Sequence, residues 1–165
     1  MEPKPSNRTT SKQDYGTPPE FLAAVRRFLG ISEFALDVCA DVANHASDRW
    51  YDEEADGLTQ PWALPPGWNW LNPPFNSAGV WARRAALLKR EGIKVAMLVP
   101  AAIDTIWWRD WVHDRALVIP VSRMAFVGAK DVFPKPLALC LYSPIEPPDY
   151  KPLWRWKQDQ PGADS

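Results

Sequence analysis

Apolar positions in the first part of the chain recur at helical spacing. The expected buried stripe is Phe21, Val25, Phe28 and Leu29. Thr17 is predicted as the N-cap and Pro18 as the first helical residue, because both residue types favour these positions. Gly30 then follows the last turn, where glycine favours helix termination. This pattern predicts a helix over residues 18–29.

Short apolar runs further along predict the strands of a sheet. They cover residues 34–38, 68–71, 95–99, 117–119 and 137–142, with a further short strand at 48–51. Two more helices are predicted at residues 77–90, with Gly92 closing the first, and at about 104–115. Since strands and helices alternate, the expected architecture is α/β, a mostly parallel central sheet with helices on both faces.

The length of 165 residues suits a single domain. Residues 1–13 are polar and are expected to form a disordered N-terminal tail, residues 14–146 the domain, and residues 147–165 a Pro- and Trp-rich C-terminal tail of uncertain order. The sequence contains two cysteines and two histidines without metal-type spacing, so no metal is expected. No signal sequence or membrane span is recognised, which predicts a cytoplasmic protein.

Charge is distributed unevenly, although the net charge is only −1. Residues 14–60 contain ten acids and three bases, whereas residues 61–100 contain five bases and one acid. These bases are Arg83, Arg84, Lys89, Arg90 and Lys94. They either attract phosphate or, as the simpler interpretation, line the solvated face of a helix.

The segment Leu71 to Phe75 carries the strongest chemical signal. Pro73 and Pro74 lack backbone N–H groups and hold φ near about −65°, so the carbonyls of Asn72 and Pro73 are left as acceptors in a rigid turn. An exocyclic amine would supply the matching donors, and Phe75 could stack on its ring. The alternative is a turn with a structural role alone.

Acidic residues suggest where a cofactor would bind. Asp37 and Asn72 both fall at predicted strand ends, where open α/β sheets bind ligands. Asp56 lies 19 positions after Asp37, a separation typical of acids that hold ribose, but Asp52, Glu53 and Glu54 compete for the role. Residues 37–41 contain no glycine, so a cofactor with a sulfonium centre suits these acids better than a pyrophosphate.

Taken together, these segments resemble the phage-type, Dam-like DNA adenine-N6 methyltransferases, which use S-adenosylmethionine. Residues 15–19 are similar to the N-terminal cofactor segment of that family, residues 36–40 to its first-strand motif and residues 71–75 to its catalytic motif; residues 99–101 and 122–126 resemble later segments. One departure is Phe75, where tyrosine is commoner.

The resemblance implies a Rossmann-like methyltransferase fold and assigns roles to individual residues. The implied cofactor-binding residues are Tyr15, Thr17, Pro18, Asp37, Cys39, Ala40 and Asp56, with Thr17 and Asp37 at the methionine end of the cofactor and the acid near Asp56 on its ribose. The implied catalytic residues are Asn72, Pro73, Pro74 and Phe75.

The implied reaction is direct in-line methyl transfer to the N6 amine of a flipped-out adenine in DNA. Weaker candidates for DNA contact are Arg83, Arg123, Lys130 and Lys135. Two alternatives stay open: methylation of a glutamine amide or an RNA base, and a non-catalytic nucleic-acid-binding module. A phage-encoded enzyme of this kind would act in the host cytoplasm, and the sequence assigns no oligomeric state.

Overall fold

Six strands form one open sheet in the part of the chain that the computed structural model describes, residues 16–159. They are β1 (Leu36–Asp37), β2 (Trp68–Leu71), β3 (Lys94–Pro100), β4 (Leu117–Val121), β5 (Leu137–Tyr142) and β6 (Asp149–Tyr150). The α-helices of this part are α1 (Pro19–Leu29), α2 (Ala78–Lys89) and α3 (Ile106–Trp111). The expected N-terminal tail lies outside the described residues.

The strand order is β1-β2-β3-β5-β4-β6. Strands β1, β2 and β3 pair in parallel, as do β4 and β6, whereas β5 lies antiparallel between β3 and β4. The carboxyl ends of all strands except β5 therefore lie along one edge of the sheet. The mostly parallel sheet predicted from the sequence is confirmed.

Two apolar layers cover the faces of the sheet. Helices α2 and α3 pack on one face, where Trp81 and Trp108 join the core. Helix α1 packs on the other face, where Phe21 contacts Trp70, and Trp68 lies in the same cluster. The predicted helices on both faces are thus confirmed. Both tryptophans of β2 lie on the α1 side because side chains alternate along a strand.

The start of α1 differs from the prediction. Pro18 occupies the N-cap position without a side-chain cap, so the assignment of the N-cap to Thr17 was wrong by one residue. At the other end, Gly30 adopts φ 72° and its N–H donates to the carbonyls of the last turn, as predicted for a glycine terminator. Phe28 was expected to be buried but is 52% exposed.

Other predicted elements are shorter in the structure. Helix α3 has six residues because Thr105 caps it, its Oγ1 accepting from Trp108 N at 3.3 Å, and because Asp114 beyond it adopts φ 62°. Segment 48–51 forms one parallel bridge between Trp50 and Asp37 instead of a strand. The predicted strand at 34–38 retains only β1.

The C-terminal segment contributes to the core up to the end of the described part. Beyond β6, Trp154 N donates to Pro120 O at 2.8 Å. Trp156 is 1% exposed, donates from Nε1 to Ser122 O at 2.9 Å, and meets Phe21 edge-on at 5.0 Å. Trp156 therefore joins α1 to the start of the connection that follows β4.

Candidate active site

A cleft of about 360 Å³ opens at the carboxyl edge of the sheet. Its lining comes from the start of α1, the ends of β1 and β2 and the loop after β1, together with Val127 from the connection after β4. The side chains that line it are Thr17, Pro19, Leu22, Asp37, Cys39, Ala40, Ala43, Asn44, His45, Ala46, Trp70, Asn72 and Val127, and Gly16 completes the wall. Asp37 and Asn72, predicted at two strand ends, are thus brought into one cavity.

Asn72 directly follows the buried strand β2 and has an incompletely satisfied side chain. Its Nδ2 donates to Thr17 Oγ1 at 3.0 Å. Its Oδ1 is buried and accepts no hydrogen bond from any described residue. A buried acceptor without a donor costs about 1–3 kcal/mol, which a ligand with an N–H group would recover. The side chain is therefore suited to accept from an amine.

The rest of the Asn-Pro-Pro-Phe turn lies beside the cleft and builds the path into α2. Pro73 is buried. Pro74 O accepts from Ser77 N at 3.0 Å and from Ser77 Oγ at 3.3 Å, which closes a short 3-10 turn ahead of the helix. Ser77, the first residue of the predicted helix, occupies the N-cap position of α2, and its side chain makes no cap hydrogen bond.

Phe75 is held by two other aromatic rings. Phe133 lies edge-on at 5.2 Å and Phe126 at 6.1 Å between ring centroids. Both come from the connection between β4 and β5, so the catalytic turn predicted from the sequence contacts a distant part of the chain. Neither Phe75 nor the two prolines line the cleft.

Asp37 is a nearly buried carboxyl group, 4% exposed. Its Oδ2 accepts from Ala46 N at 2.8 Å and its Oδ1 from Cys39 N at 3.2 Å. Burial raises the pKa of Asp37 to about 7, and the two hydrogen bonds offset only part of this rise. Because a cation favours the ionised carboxylate, this end of the cleft is suited to a positively charged ligand.

Apart from Asp56, the other expected cofactor residues divide into three groups. Thr17, Cys39 and Ala40 line the cleft with Asp37. Pro18 is buried just outside the lining, to which its neighbour Pro19 contributes. Tyr15 lies outside the described residues.

The structure does not bring Asp56 to the cleft. Asp56 has φ 61° and its Oδ1 accepts from Leu58 N at 3.2 Å, so that it caps the 3-10 turn Gly57–Thr59. Its competitors Asp52, Glu53 and Glu54 are exposed and do not line the cleft either. The spacing of 19 residues is therefore met by a residue with a local structural role.

Sequence reasoning missed the loop that supplies Ala43, Asn44, His45 and Ala46 to the cleft. Asp41 organises this loop by accepting from the backbone N–H groups of Ala43 at 2.9 Å and Asn44 at 2.8 Å. An Asp at the start of a polar segment directly after a strand was the available signal, because such side chains fold the following backbone into a turn.

Basic candidates occupy two separate places. Arg123, Lys130 and Lys135 are exposed on the connection between β4 and β5, which also supplies Val127 to the cleft. Arg83 lies on α2 with its guanidinium 5.5 Å from the centre of the Trp111 ring. Three of the four candidates therefore share the connection that reaches the cleft through Val127, and Arg83 lies on α2.

Several other bases of residues 61–100 have internal partners. Arg84 Nη2 donates to Gln60 O at 3.1 Å, and Lys89 Nζ to Arg115 O at 2.5 Å. Lys94 Nζ lies 5.2 Å from the centre of the Trp68 ring. These three bases therefore have partners within the fold, whereas the simpler interpretation of the sequence placed the whole cluster on the solvated face of a helix.

Cysteine, histidine and acidic side chains form no metal-type group within residues 16–159. Cys140 is fully buried in the core, where burial raises the pKa of its thiol. The same part of the chain contains no helix long and apolar enough to cross a membrane.

A six-stranded open sheet in which only β5 runs against the others, covered by helices on both faces, has the Rossmann-like methyltransferase fold. The sequence matches the family "DNA N-6-adenine-methyltransferase (Dam)" over residues 5–135, and the chain belongs to this family. It is also 27% identical over 108 residues to a DNA N-6-adenine-methyltransferase of Escherichia phage T1. That match covers 64% of this chain and 43% of the phage protein, so the chain matches less than half the length of this relative.

Proposed function

We propose that the chain transfers a methyl group from S-adenosylmethionine to the N6 amino group of adenine in DNA. Membership of the Dam family supports adenine and DNA as acceptors. The observation that carries the proposal is the buried, unpartnered Oδ1 of Asn72 in the same cleft as the buried carboxyl group of Asp37. One side chain is suited to an amine and the other to a cation, which are the two reactants of such a transfer.

The cleft fits S-adenosylmethionine in size and charge. Its volume of about 360 Å³ lies within the range of small-molecule sites. Asp37 would meet a positive group of the cofactor, with Thr17, Cys39 and Ala40 forming the surrounding wall. When bound, S-adenosylmethionine supplies a methyl group on a positively charged sulfur. Asp56 is not part of this proposal because it caps its own turn.

Asn72 would act on the acceptor amine through its free oxygen. Thr17 Oγ1 accepts from Asn72 Nδ2, which orients the amide with Oδ1 available for a donor. If Asn72 Oδ1 accepts one N–H of adenine N6 and Pro73 O accepts the other, the nitrogen lone pair loses conjugation with the ring. The same two oxygens stabilise the positive charge that develops on N6 as its bond to the methyl carbon forms and the bond from that carbon to sulfur breaks, which leaves a neutral thioether. The extra proton on N6 can then leave to water, so no strong base is required.

DNA has to present its adenine outside the base stack to reach Asn72. Flipping costs a few kcal/mol, and an aromatic side chain such as Phe75 recovers part of this by stacking. The ring of Phe75 is half-buried and held by Phe126 and Phe133, so its orientation is set before the base arrives. Arg123, Lys130 and Lys135 would contact phosphates from the same connection.

Substitution of Asn72 tests the proposal. With S-adenosylmethionine labelled in its methyl group and duplex DNA as acceptor, we expect Asn72→Ala to lower the transfer rate by at least about 100-fold, as for loss of one charge-stabilising group. Cofactor affinity measured by calorimetry should change little. Asn76→Ala is the matched control, because Asn76 is exposed on the same 3-10 turn as Phe75.

Two results would contradict the proposal. One is full turnover by Asn72→Ala. The other is label transferred by the wild-type chain to RNA or protein but not to DNA. That result would be compatible with a methyltransferase fold but would replace DNA as the proposed acceptor.

A further inference from the structure

His45 is a fixed side chain on the wall of the cleft. Its ring stacks on Trp50 with 3.8 Å between centroids and 9° between planes. Its Nδ1 lies 2.8 Å from Ser47 O. Because a carbonyl oxygen only accepts, Nδ1 carries the hydrogen of this bond.

Nε2, the other ring nitrogen, is an acceptor when the ring is neutral. In a neutral imidazole with its hydrogen on Nδ1, Nε2 carries a lone pair. The described residues supply no hydrogen-bond donor to Nε2 of His45. The ring is anchored as well, since Trp50 bridges Asp37 at the end of β1. An acceptor that is held in place before binding loses little entropy when it meets a donor.

The position of His45 indicates which part of the ligand it meets. Along the carboxyl edge, Asn72 follows β2 and Asp37 ends the neighbouring β1. Trp50, on which His45 stacks, pairs with Asp37 on the other side of β1. If the transferred methyl group lies near Asn72 and the cationic end near Asp37, the part of the cofactor left for His45 is the nucleoside. Its hydrogen-bond donors are neutral groups. Its ribose hydroxyls have no acid at Asp56 to meet, because that side chain caps its own turn.

We infer that His45 Nε2 accepts a hydrogen bond from a ribose hydroxyl of S-adenosylmethionine. The inference rests on the proposed function and identifies His45 as a cofactor-binding residue. A neutral imidazole would then make the ribose contact that was expected, from the sequence, of the acid near Asp56.

Calorimetry with S-adenosylhomocysteine distinguishes a contact with the ring face of His45 from a hydrogen bond to its Nε2. His45→Phe keeps a flat ring on Trp50 but removes the acceptor, and we expect it to weaken binding by about three- to tenfold, the effect of one neutral hydrogen bond. His45→Gln places an amide oxygen near the position of Nε2 and should retain most of the affinity. His113→Phe is the matched control, since His113 lies beyond α3 with Tyr150 as its partner.

Ribose-modified ligands test the contact itself. The 2′-deoxy and 3′-deoxy forms of S-adenosylhomocysteine should show that one hydroxyl contributes to wild-type affinity. Removal of the same hydroxyl should have no further effect in His45→Phe, as a double-mutant cycle requires for two groups that contact each other. In wild-type chain labelled with ¹⁵N-histidine, the Nε2 resonance of His45 should shift on saturation with the ligand.

Several outcomes would overturn the inference. These are wild-type affinity in His45→Phe, a deoxy penalty that persists in that variant, an unchanged Nε2 resonance, and loss of affinity in His45→Gln but not in His45→Phe. The last result would assign the ring face as the contact. A wild-type chain that binds neither S-adenosylhomocysteine nor S-adenosylmethionine would instead contradict the proposed function.

Discussion

Two asparagines, one within β2 and one directly after it, show how the same residue type can serve structure or chemistry. Asn69 is fully buried, and its Oδ1 accepts from Ala63 N at 2.9 Å while its Nδ2 donates to Ala63 O at 3.0 Å and Lys94 O at 3.1 Å. Asn72 uses only Nδ2 among the described residues. The satisfied side chain fixes the strand to its neighbours, and the unsatisfied one has the acceptor on which the proposed reaction depends.

Asp37 should make stability depend on pH. Its pKa is about 7 in the folded chain against an ordinary value of 3.8, so between these values the folded state binds more protons than the unfolded state. The free energy of unfolding should therefore fall by up to about 1.4 kcal/mol per pH unit as pH rises through this window and become level above about 7. Urea unfolding of wild type and Asp37→Asn between pH 4 and 8 measures this pH dependence. The difference in the free energy of unfolding between the two chains gives the contribution of Asp37.

Cofactor affinity provides the complementary measurement for Asp37. If the carboxylate meets a cation, wild-type affinity for S-adenosylmethionine should rise by up to about tenfold per pH unit toward pH 7 and then level off. Asp37→Asn should bind more weakly and without this slope. Asp48→Asn, at an exposed acid, is the control. Equal slopes in wild type and Asp37→Asn would show that the carboxyl group does not meet the charge.

At the scale of elements, the 3-10 turn Gly57–Thr59 lies against the end of β1. A Cβ on Gly57 would lie 2.0 Å from Val38 O, next to Asp37, and Trp62 Nε1 donates to Gly57 O at 2.8 Å. Asp56 caps this turn and so supports the segment that follows β1.

Gly57→Ala should therefore destabilise the chain, because backbone has to move away from backbone. Overpacking of this kind costs about 1–3 kcal/mol, which a lower urea midpoint would report. Gly30→Ala is the comparison: Gly30 has φ 72° but open space around its Cβ position, so only the left-handed conformation is penalised, by about 1–2 kcal/mol. Weaker cofactor binding in Gly57→Ala but not in Gly30→Ala would connect the turn to the cleft. A Gly57→Ala chain as stable as wild type would contradict the close contact.

The sequence predicted central elements better than edge elements, for a physical reason. The bounds of β2 and β5 agree with the prediction because their largely apolar runs are buried on both faces and end at polar or proline residues. Strand β6 and the bridge at Trp50 involve so few residues that no periodic pattern marks them, and both depend on a neighbouring strand.

The candidate site was predictable where a short motif carries the chemistry and less so where distant residues meet. Asn72 and Asp37 could be predicted because each lies at the end of a strand that the sequence predicts. Thr17 instead bonds to a residue 55 positions away, which a local capping rule cannot anticipate. His45 carries no local signal of its own, since its role depends on Trp50 and Ser47.

For the whole molecule, the uneven charge along the sequence becomes a difference between surfaces. Four of the five bases of residues 61–100 have partners in the fold, namely Arg83, Arg84, Lys89 and Lys94. The bases of the connection between β4 and β5 are exposed, and Val127 of the same connection lines the cleft. The negative charge of residues 14–60 would disfavour phosphates elsewhere, so the two regions together should orient DNA toward this connection.

Neutralising that connection should weaken DNA binding without affecting the cofactor. For the variant Arg123→Ala, Lys130→Ala, Lys135→Ala, we expect the slope of log affinity against log salt to fall by up to about 0.9 for each phosphate that the protein no longer neutralises, measured by fluorescence anisotropy on duplex DNA. Calorimetric affinity for S-adenosylmethionine should stay unchanged. The control with equal charge change is Arg83→Ala, Arg90→Ala, Lys94→Ala, which should keep most of the slope because Arg83 and Lys94 lie over tryptophan rings. If the control lowers the slope and the connection variant does not, DNA contacts the bases of α2 and β3 instead of those on the connection between β4 and β5.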